Sequence, residues 1–156
     1  MAIRTIITKG DETLKKRSKE VKELTPHIID ILDDMKETLY STDNGVGLAA
    51  PQVGILKRIV LIDVGEGLLE LINPVITEQS GEQIEVEGCL SIPNVYGEVK
   101  RPAKVTVEYT DRNGKRQKAE GTELLARAFC HEIDHLDGIL FDERVIRFID
   151  MEKEPS

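Results

Sequence analysis

The stretch RAFCHEIDHLDG, residues 127–138, contains two histidines four positions apart, with a glutamate directly after the first. Side chains four apart on an α-helix lie one turn apart on the same face, so His131 and His135 can reach one metal ion. Glu132 lies about 100° round the helix from His131, where it can flank the ion and act as a general base. Because so short a motif recurs by chance, other residues of the chain are needed to assign a function to it.

A catalytic metal site usually needs a third protein ligand and leaves one position for water. Beyond His135 the chain has carboxylates but no histidine, and we expect His27 at the surface of an earlier helix. Cys130 lies about 100° from His131, on the side away from His135, which predicts a position in the core. Cys89 is then the candidate that completes a Cys-His-His site, and its alternative is a buried structural cysteine.

The pattern of apolar residues predicts helices and strands on either side of these motifs. Residues 25–40 should form a helix, because Thr25 can cap it and Pro26 suits its first turn. The runs RIVLIDV (58–64), LLELINP (68–74) and KVTVEYT (104–110) are typical of strands, and a two-residue turn at Asn113-Gly114 predicts a hairpin to KRQKAE (115–120).

The histidine-bearing segment should form a largely buried helix from near Thr122 to Gly138, followed by a short helix near residues 142–150. Because helices do not alternate regularly with strands, we predict an α+β fold with mostly antiparallel sheets.

The composition indicates one globular domain over residues 1–156, with a solvated tail at about 151–156. The net charge of −8 argues against stable nucleic-acid binding, which needs clustered lysine and arginine. No apolar run reaches the roughly 18 residues of a membrane span, and the N-terminus lacks the apolar run of a signal peptide. We therefore expect a cytoplasmic protein without membrane contact.

A glycine-rich loop, GVGLAAPQVG (45–54), matches neither a dinucleotide fingerprint nor a phosphate-binding loop. Its glycines permit close backbone approach, and the amide of Gln52 can both donate and accept hydrogen bonds. Taken alone, the segment would be only a tight connection between a helix and a strand.

Three of these segments together closely resemble the bacterial peptide deformylases. That family carries Gly-x-Gly-Leu-Ala-Ala-x-Gln, Glu-Gly-Cys-Leu-Ser and His-Glu-x-Asp-His in this order, and here they read GVGLAAPQ (45–52), EGCLS (87–91) and HEIDH (131–135). The resemblance covers essentially the whole chain. Family members often have Gln where Cys130 stands, a difference that we expect to alter packing and not the ligands.

The resemblance implies a hydrolase that removes the formyl group from the N-terminal formyl-methionine of new polypeptides and releases formate. It implies a central metal-binding helix embraced by antiparallel sheets, and a divalent ion held by Cys89, His131 and His135. Ferrous iron is the ion expected in vivo, with zinc, nickel or cobalt able to substitute. By the same resemblance, Glu132 is the base, and the Gln52 amide and the Leu90 backbone N–H stabilise the oxyanion.

The helix face that carries His131 also predicts the pocket for the methionine side chain. At spacings of three, four and seven residues this face continues through Ala128, Arg127 and Leu124, and we place Val46 and Gly47 of the first loop opposite them. The methylene stem of Arg127 should line the pocket while its guanidinium reaches solvent. We also expect Glu87 to accept a hydrogen bond from a metal-bound imidazole.

Two other functions fit part of these observations. A peptidase that cleaves internal amides would share the helix motif, although an upstream cysteine ligand argues against it. A non-catalytic metal-binding or ribosome-associated module would share the ligands, but a purely structural site closes with four ligands and needs no flanking base. As partners we expect formyl-methionyl nascent peptides and a transient contact with the ribosome.

Overall fold

The computed structural model describes residues 2–42 and 45–150, which contain two α-helices and eight strands. The helices are α1 (Pro26–Tyr40) and α2 (Glu123–Leu136). The strands are β1 (Gly47–Ala49), β2 (Ile59–Ile62), β3 (Leu69–Ser80), β4 (Gln83–Cys89), β5 (Ile92–Arg101), β6 (Lys104–Thr110), β7 (Arg116–Thr122) and β8 (Val145–Ile149). Short 3₁₀ helices occupy Glu12–Lys15, Ala50–Val53 and Phe141–Glu143.

The strands form two antiparallel sheets that both contact α2. The larger sheet has the order β1-β2-β3-β6-β7 and the smaller has the order β4-β5-β8. Helix α2 packs against β1, β2, β6 and β7 of the larger sheet and against β5 of the smaller one. The predicted α+β fold, with a helix embraced by antiparallel sheets, is confirmed.

One face of α2 is apolar and anchors the helix in the core. Ala126, Phe129 and Leu136 are fully buried there among strand residues such as Val60 and Val107. Burying each large apolar side chain contributes about 1.5–3 kcal/mol, so this face fixes how the helix is rotated. The opposite face is thereby held towards the smaller sheet. It carries the residues that the sequence assigned to the site: Leu124, Arg127, Ala128, His131 and His135.

Helix α1 begins where its sequence predicts. Thr25 accepts a hydrogen bond from the Ile28 backbone N–H at 3.3 Å, and Pro26 occupies the first helical position. His27 is exposed, as expected. The apolar face of α1 packs under the larger sheet through Ile28, Ile31, Leu32, Met35 and Leu39.

The end of α2 depends on a glycine. Asp137 caps the helix and Gly138 has a φ of +76°, a left-handed conformation that glycine adopts without strain. A Cβ at position 138 would also press into the Lys15 carbonyl. The predicted stop at Gly138 is therefore confirmed, and it lets the chain turn back past the 3₁₀ helix at Glu12–Lys15.

Two local predictions are wrong. The β6–β7 hairpin has a five-residue connection, residues 111–115, because the Asp111 carboxylate accepts hydrogen bonds from the backbone N–H groups of Asn113 and Lys115. The helix expected near 142–150 is the 3₁₀ helix Phe141–Glu143 followed by strand β8. The β-branched and aromatic residues of β8 suit a strand, and β5 offers them a partner.

The remaining predictions on chain organisation are only partly covered by the structure. Within residues 2–42 and 45–150, neither helix has the length and apolar character needed to cross a bilayer. The predicted tail at 151–156 lies outside the described residues, and the single-domain assignment of 1–156 stays a prediction.

Candidate metal centre

Strand β4 and helix α2 bring a thiol and two imidazoles together. Cys89 is the last residue of β4, and His131 and His135 lie one turn apart on α2. The Cys89 Sγ lies 3.4 Å from His135 Nε2, and the ligand atoms of all three residues lie within 4.8 Å of one another. Both histidines are buried and Cys89 is half-buried. This arrangement can hold one ion through one sulfur and two nitrogens, with room for a fourth ligand.

The hydrogen bonds of His131 indicate which of its nitrogens faces the ion. Its Nδ1 lies 2.9 Å from Glu87 Oε1, which leaves Nε2 for the metal, and the expected pairing of Glu87 with an imidazole is present. His135 differs, because its buried Nδ1 has no hydrogen-bond partner among the described residues. Burial and the positive charges of His131 and Arg101 hold the pKa of His135 well below its usual value, so its imidazole is neutral in the metal-free protein.

Glu87 lies at the centre of a buried cluster of charges. Its Oε1 accepts from His131 and from Arg101 Nη2 at 2.9 Å, while its Oε2 accepts from Arg101 Nε at 3.0 Å and from Arg127 Nη1. Burial alone would raise the pKa of Glu87, but the hydrogen bonds from His131 and Arg101 outweigh it and lower the pKa to about 2. The carboxylate is therefore ionised at neutral pH and orients the His131 ring.

Arg127 lies elsewhere than expected. Arg127 is only 5% exposed, and its guanidinium bonds to Glu87 and to the Val99 carbonyl oxygen at 3.0 Å. The expectation that this guanidinium reaches solvent is wrong, because the buried Glu87 carboxylate offers it a charged partner inside the protein. The stem of Arg127 does line the cavity beside the metal ligands.

Glu132 is buried beside the metal ligands, and its Oε1 has no hydrogen-bond partner among the described residues. A Cβ at position 47 would lie 2.6 Å from Glu132 Oε2, so Gly47 leaves the space that the carboxylate fills. Burial raises the pKa of Glu132 to about 7, against the opposing charge of His131. A carboxylate with this pKa can accept and return a proton near neutral pH.

Gln52 reaches the same site from the 3₁₀ helix Ala50–Val53. Its Oε1 accepts from the Ala49 backbone N–H at 2.9 Å, and its Nε2 donates to Ser91 Oγ at 3.1 Å. The same Nε2 lies 3.7 Å from Cys89 Sγ. These contacts fix the amide so that its NH₂ group faces the thiol side of the site.

A cavity of about 490 Å³ opens beside these groups. It includes every residue that the sequence assigned to substrate binding or to the oxyanion, and Leu124, at 47% exposed, lies on its open side. Six residues on β4 and β5 were missed: Val86, Gly88, Ile92, Pro93, Asn94 and Tyr96. Cys89 pairs with Ile92 across a tight turn at Leu90-Ser91. Leu-Ser is not one of the glycine-containing pairs that two-residue hairpin turns prefer, so no hairpin was predicted there.

The two cysteines should differ in reactivity. Burial raises the pKa of the Cys130 thiol to about 11, and Cys130 packs in the core as predicted. In metal-free protein we expect iodoacetamide at neutral pH to modify Cys89 and spare Cys130, and Co²⁺ to protect Cys89. Peptide mass mapping with and without Co²⁺ measures this. Labelling of Cys130 at a rate equal to that of Cys89 would contradict the assignment.

The chain is similar to known proteins along nearly its whole length. A family model described as polypeptide deformylase matches residues 3–150. The peptide deformylase of Acetivibrio thermocellus is 65% identical over 150 residues, which cover 96% of this chain and 88% of that protein. That of Thermoanaerobacter pseudethanolicus is 60% identical over 154 residues, which cover 99% of this chain and 96% of that protein.

The fold agrees with solved structures of the same family. The crystal structure of peptide deformylase from Thermotoga maritima matches with a TM-score of 0.90 at 39% identity, covering 93% of this chain and 99% of that one. The structure from Legionella pneumophila matches with a TM-score of 0.89 at 41% identity, covering 92% of this chain and 86% of that one. The chain therefore belongs to the polypeptide deformylase family, hydrolases that remove the N-terminal formyl group from nascent polypeptides.

Proposed function

We propose that this deformylation takes place at the Cys89, His131 and His135 site, on N-formyl-methionyl peptides. One thiol and two imidazoles converge beside a buried Glu132 oxygen that has no hydrogen-bond partner within residues 2–42 and 45–150, and this observation carries the proposal. An unpartnered carboxylate oxygen at nine-tenths burial or more is costly unless a water or substrate group meets it. The donor set therefore fits a catalytic ion, since a purely structural site would not need that carboxylate.

The ion that we propose in vivo is Fe²⁺, with Zn²⁺, Ni²⁺ or Co²⁺ able to replace it. Thiolate and imidazole ligands suit all of these metals, and the choice of iron rests on the family resemblance. When bound, the ion supplies Lewis-acid activation of water and of the formyl carbonyl.

The protein groups around the ion would move the proton and stabilise the charge. Glu132 takes a proton from the attacking water and passes it to the leaving amine as formate departs. The Gln52 Nε2–H and the Leu90 backbone N–H donate to the oxyanion that forms at the formyl oxygen. The apolar wall of Leu124, Ala128 and Val46, with the stem of Arg127, holds the methionine side chain.

The proposal is tested by comparing two reactions of the Fe²⁺-loaded protein prepared without oxygen. One assay measures formate released from a formyl-methionyl peptide, and the other measures internal cleavage of the same peptide without its formyl group. We expect formate without internal cleavage. The reverse result would show a peptidase. If the metal-loaded protein catalysed neither reaction, it would be only a metal-binding module.

Changing Gln52 to alanine should lower kcat by about 10²–10³-fold, because it removes one oxyanion donor. The matched control is Ser91→Ala, which removes a partner of the Gln52 amide but leaves the amide itself. It should lower kcat by less than Gln52→Ala does. Steady-state kinetics on the formyl peptide measure both variants. A rise in KM with kcat unchanged in Gln52→Ala would assign Gln52 to substrate binding alone.

We further propose that the protein acts in the cytoplasm, as one catalytic domain, with only transient ribosome contact and no stable nucleic-acid binding. The family's substrates are nascent polypeptides, which supports the ribosome contact. The net charge of −8 supports the absence of stable nucleic-acid binding.

A further inference from the structure

Arg127 and His131 reach the same carboxylate from one face of α2. They lie four residues apart, and Glu87 accepts from both, through Oε2 and Oε1 respectively. Glu87 itself lies on β4, two residues before Cys89. The contact therefore joins the helix that carries two metal ligands to the strand that carries the third.

A second bond ties Arg127 to the neighbouring strand. Its Nη2 donates to the carbonyl oxygen of Val99 on β5 at 3.0 Å, so the guanidinium spans both strands of the β4–β5 hairpin. Hydrogen bonds from a planar guanidinium fix direction as well as distance. Because Arg127 is 5% exposed, little solvent competes for these bonds.

The other side of His131 is fixed by a different arginine. Arg101 of β5 donates to Asp134 at 2.8 Å, three residues after His131, and also to Glu87. Helix α2 is thus bonded to the smaller sheet one turn before His131 and again one turn after it. Loss of either tie would leave the helix free to shift at that end.

We propose that Arg127 is a positioning residue, which holds β4 against α2 through Glu87 and so keeps Cys89 and His131 at the separation that the metal requires. This inference rests on the proposed metal site. It differs from a role in the pocket wall, which needs only the methylene stem of Arg127 and not its guanidinium.

Arg127→Met separates the two roles, because methionine keeps an unbranched apolar stem and removes the guanidinium. Binding of Co²⁺ to the metal-free protein, followed by its visible absorption and by competition with a chelator, measures affinity and ligand geometry. We expect the Kd for Co²⁺ to rise by about 10–100-fold and the absorption spectrum to change. Losses of this size are typical when a residue that supports a metal-ligating histidine is removed. Arg127→Lys keeps the positive charge but lacks the paired N–H donors of a guanidinium. Its Kd for Co²⁺ should lie between those of wild type and Arg127→Met.

The matched control is Arg112→Met. Arg112 also bonds two acidic residues, Glu70 and Asp33, but lies away from the metal ligands and should leave the Kd unchanged. In a Glu87→Gln background, Arg127→Met should add little further loss of affinity, because its effect passes through Glu87. If Arg127→Met does not fold, Arg127→Lys is tested instead. A raised Kd for Co²⁺ in the folded Arg127→Lys protein would then support the positioning role, and an unchanged Kd would contradict it.

An unchanged Kd and spectrum in Arg127→Met, with only KM altered, would overturn the proposal and leave Arg127 as a wall residue. A full additional loss in the Glu87→Gln background would also overturn it. Failure of the metal site itself would look different: wild type would not bind Co²⁺, or Cys89→Ala would bind it equally well.

Discussion

Replacing Glu132 with glutamine should lower kcat by about 10²–10⁴-fold while Co²⁺ and Fe²⁺ still bind. Glutamine has the same shape as glutamate but cannot take a proton from water or return one to the leaving amine. Because Glu132 is the proposed agent of both transfers, we expect the upper part of this range. Formate release from a formyl-methionyl peptide by fully metal-loaded protein measures the effect.

The position of Glu132 explains why metal binding should survive. The three ligand atoms belong to Cys89, His131 and His135, and the carboxylate of Glu132 is not among them. Its Oε2 instead lies next to Gly47 of β1. The hydrogen bond that orients His131 is made with Glu87 and does not involve Glu132. An uncharged amide in this buried position also removes the cost of an ionised carboxylate, so the fold should tolerate the change.

The matched control is Glu120→Gln on β7, where the carboxylate is exposed and pairs with Lys104 at 3.2 Å. It should leave kcat unchanged. If Glu132→Gln kept kcat within about tenfold of wild type, the general-base role would be wrong, since acid–base groups contribute more than this. Loss of metal together with activity would show that Glu132 supports the ligands instead.

Much of the fold could be predicted because its signals are local. Thr25 and Pro26 mark the start of α1, and Gly138 marks the end of α2, because capping and left-handed φ values depend on a few neighbouring residues. Strand β8 could not be predicted in this way. Its short apolar run fits a helix or a strand, and the edge of β5 decides between them.

In the candidate site, too, the features set by local sequence could be predicted and those set by tertiary packing could not. Helical spacing placed His131 and His135 on one face and turned Cys130 away from them, as the structure shows. The distance between Cys89 and His135 depends on how β4 packs against α2, which no spacing in the sequence encodes. The direction of the Arg127 side chain depends on a buried carboxylate 40 residues away in the sequence. The expectation that a long charged side chain extends its charged end to solvent was therefore wrong here.

Changing Glu87 to glutamine should lower the free energy of unfolding of the metal-free protein by about 3–5 kcal/mol. Glu87 neutralises two arginines whose side chains are 4% and 6% exposed, Arg101 and Arg127. Arg101 keeps Asp134 as a partner, but in the described structure Arg127 would retain only the Val99 carbonyl. A buried guanidinium without a counter-charge is costly, because neither water nor a lower pKa can relieve it.

Urea unfolding at neutral pH measures this loss, and Glu70→Gln provides the comparison. Glu70 also binds an arginine, Arg112, but that side chain is 35% exposed, so its pair should contribute at most about 1 kcal/mol. The two variants remove the same charge, and they differ mainly in the burial of the arginine left behind. Equal losses in the two would mean that water enters the Glu87 cluster and screens it, and the cluster could not then hold β4 rigidly against α2.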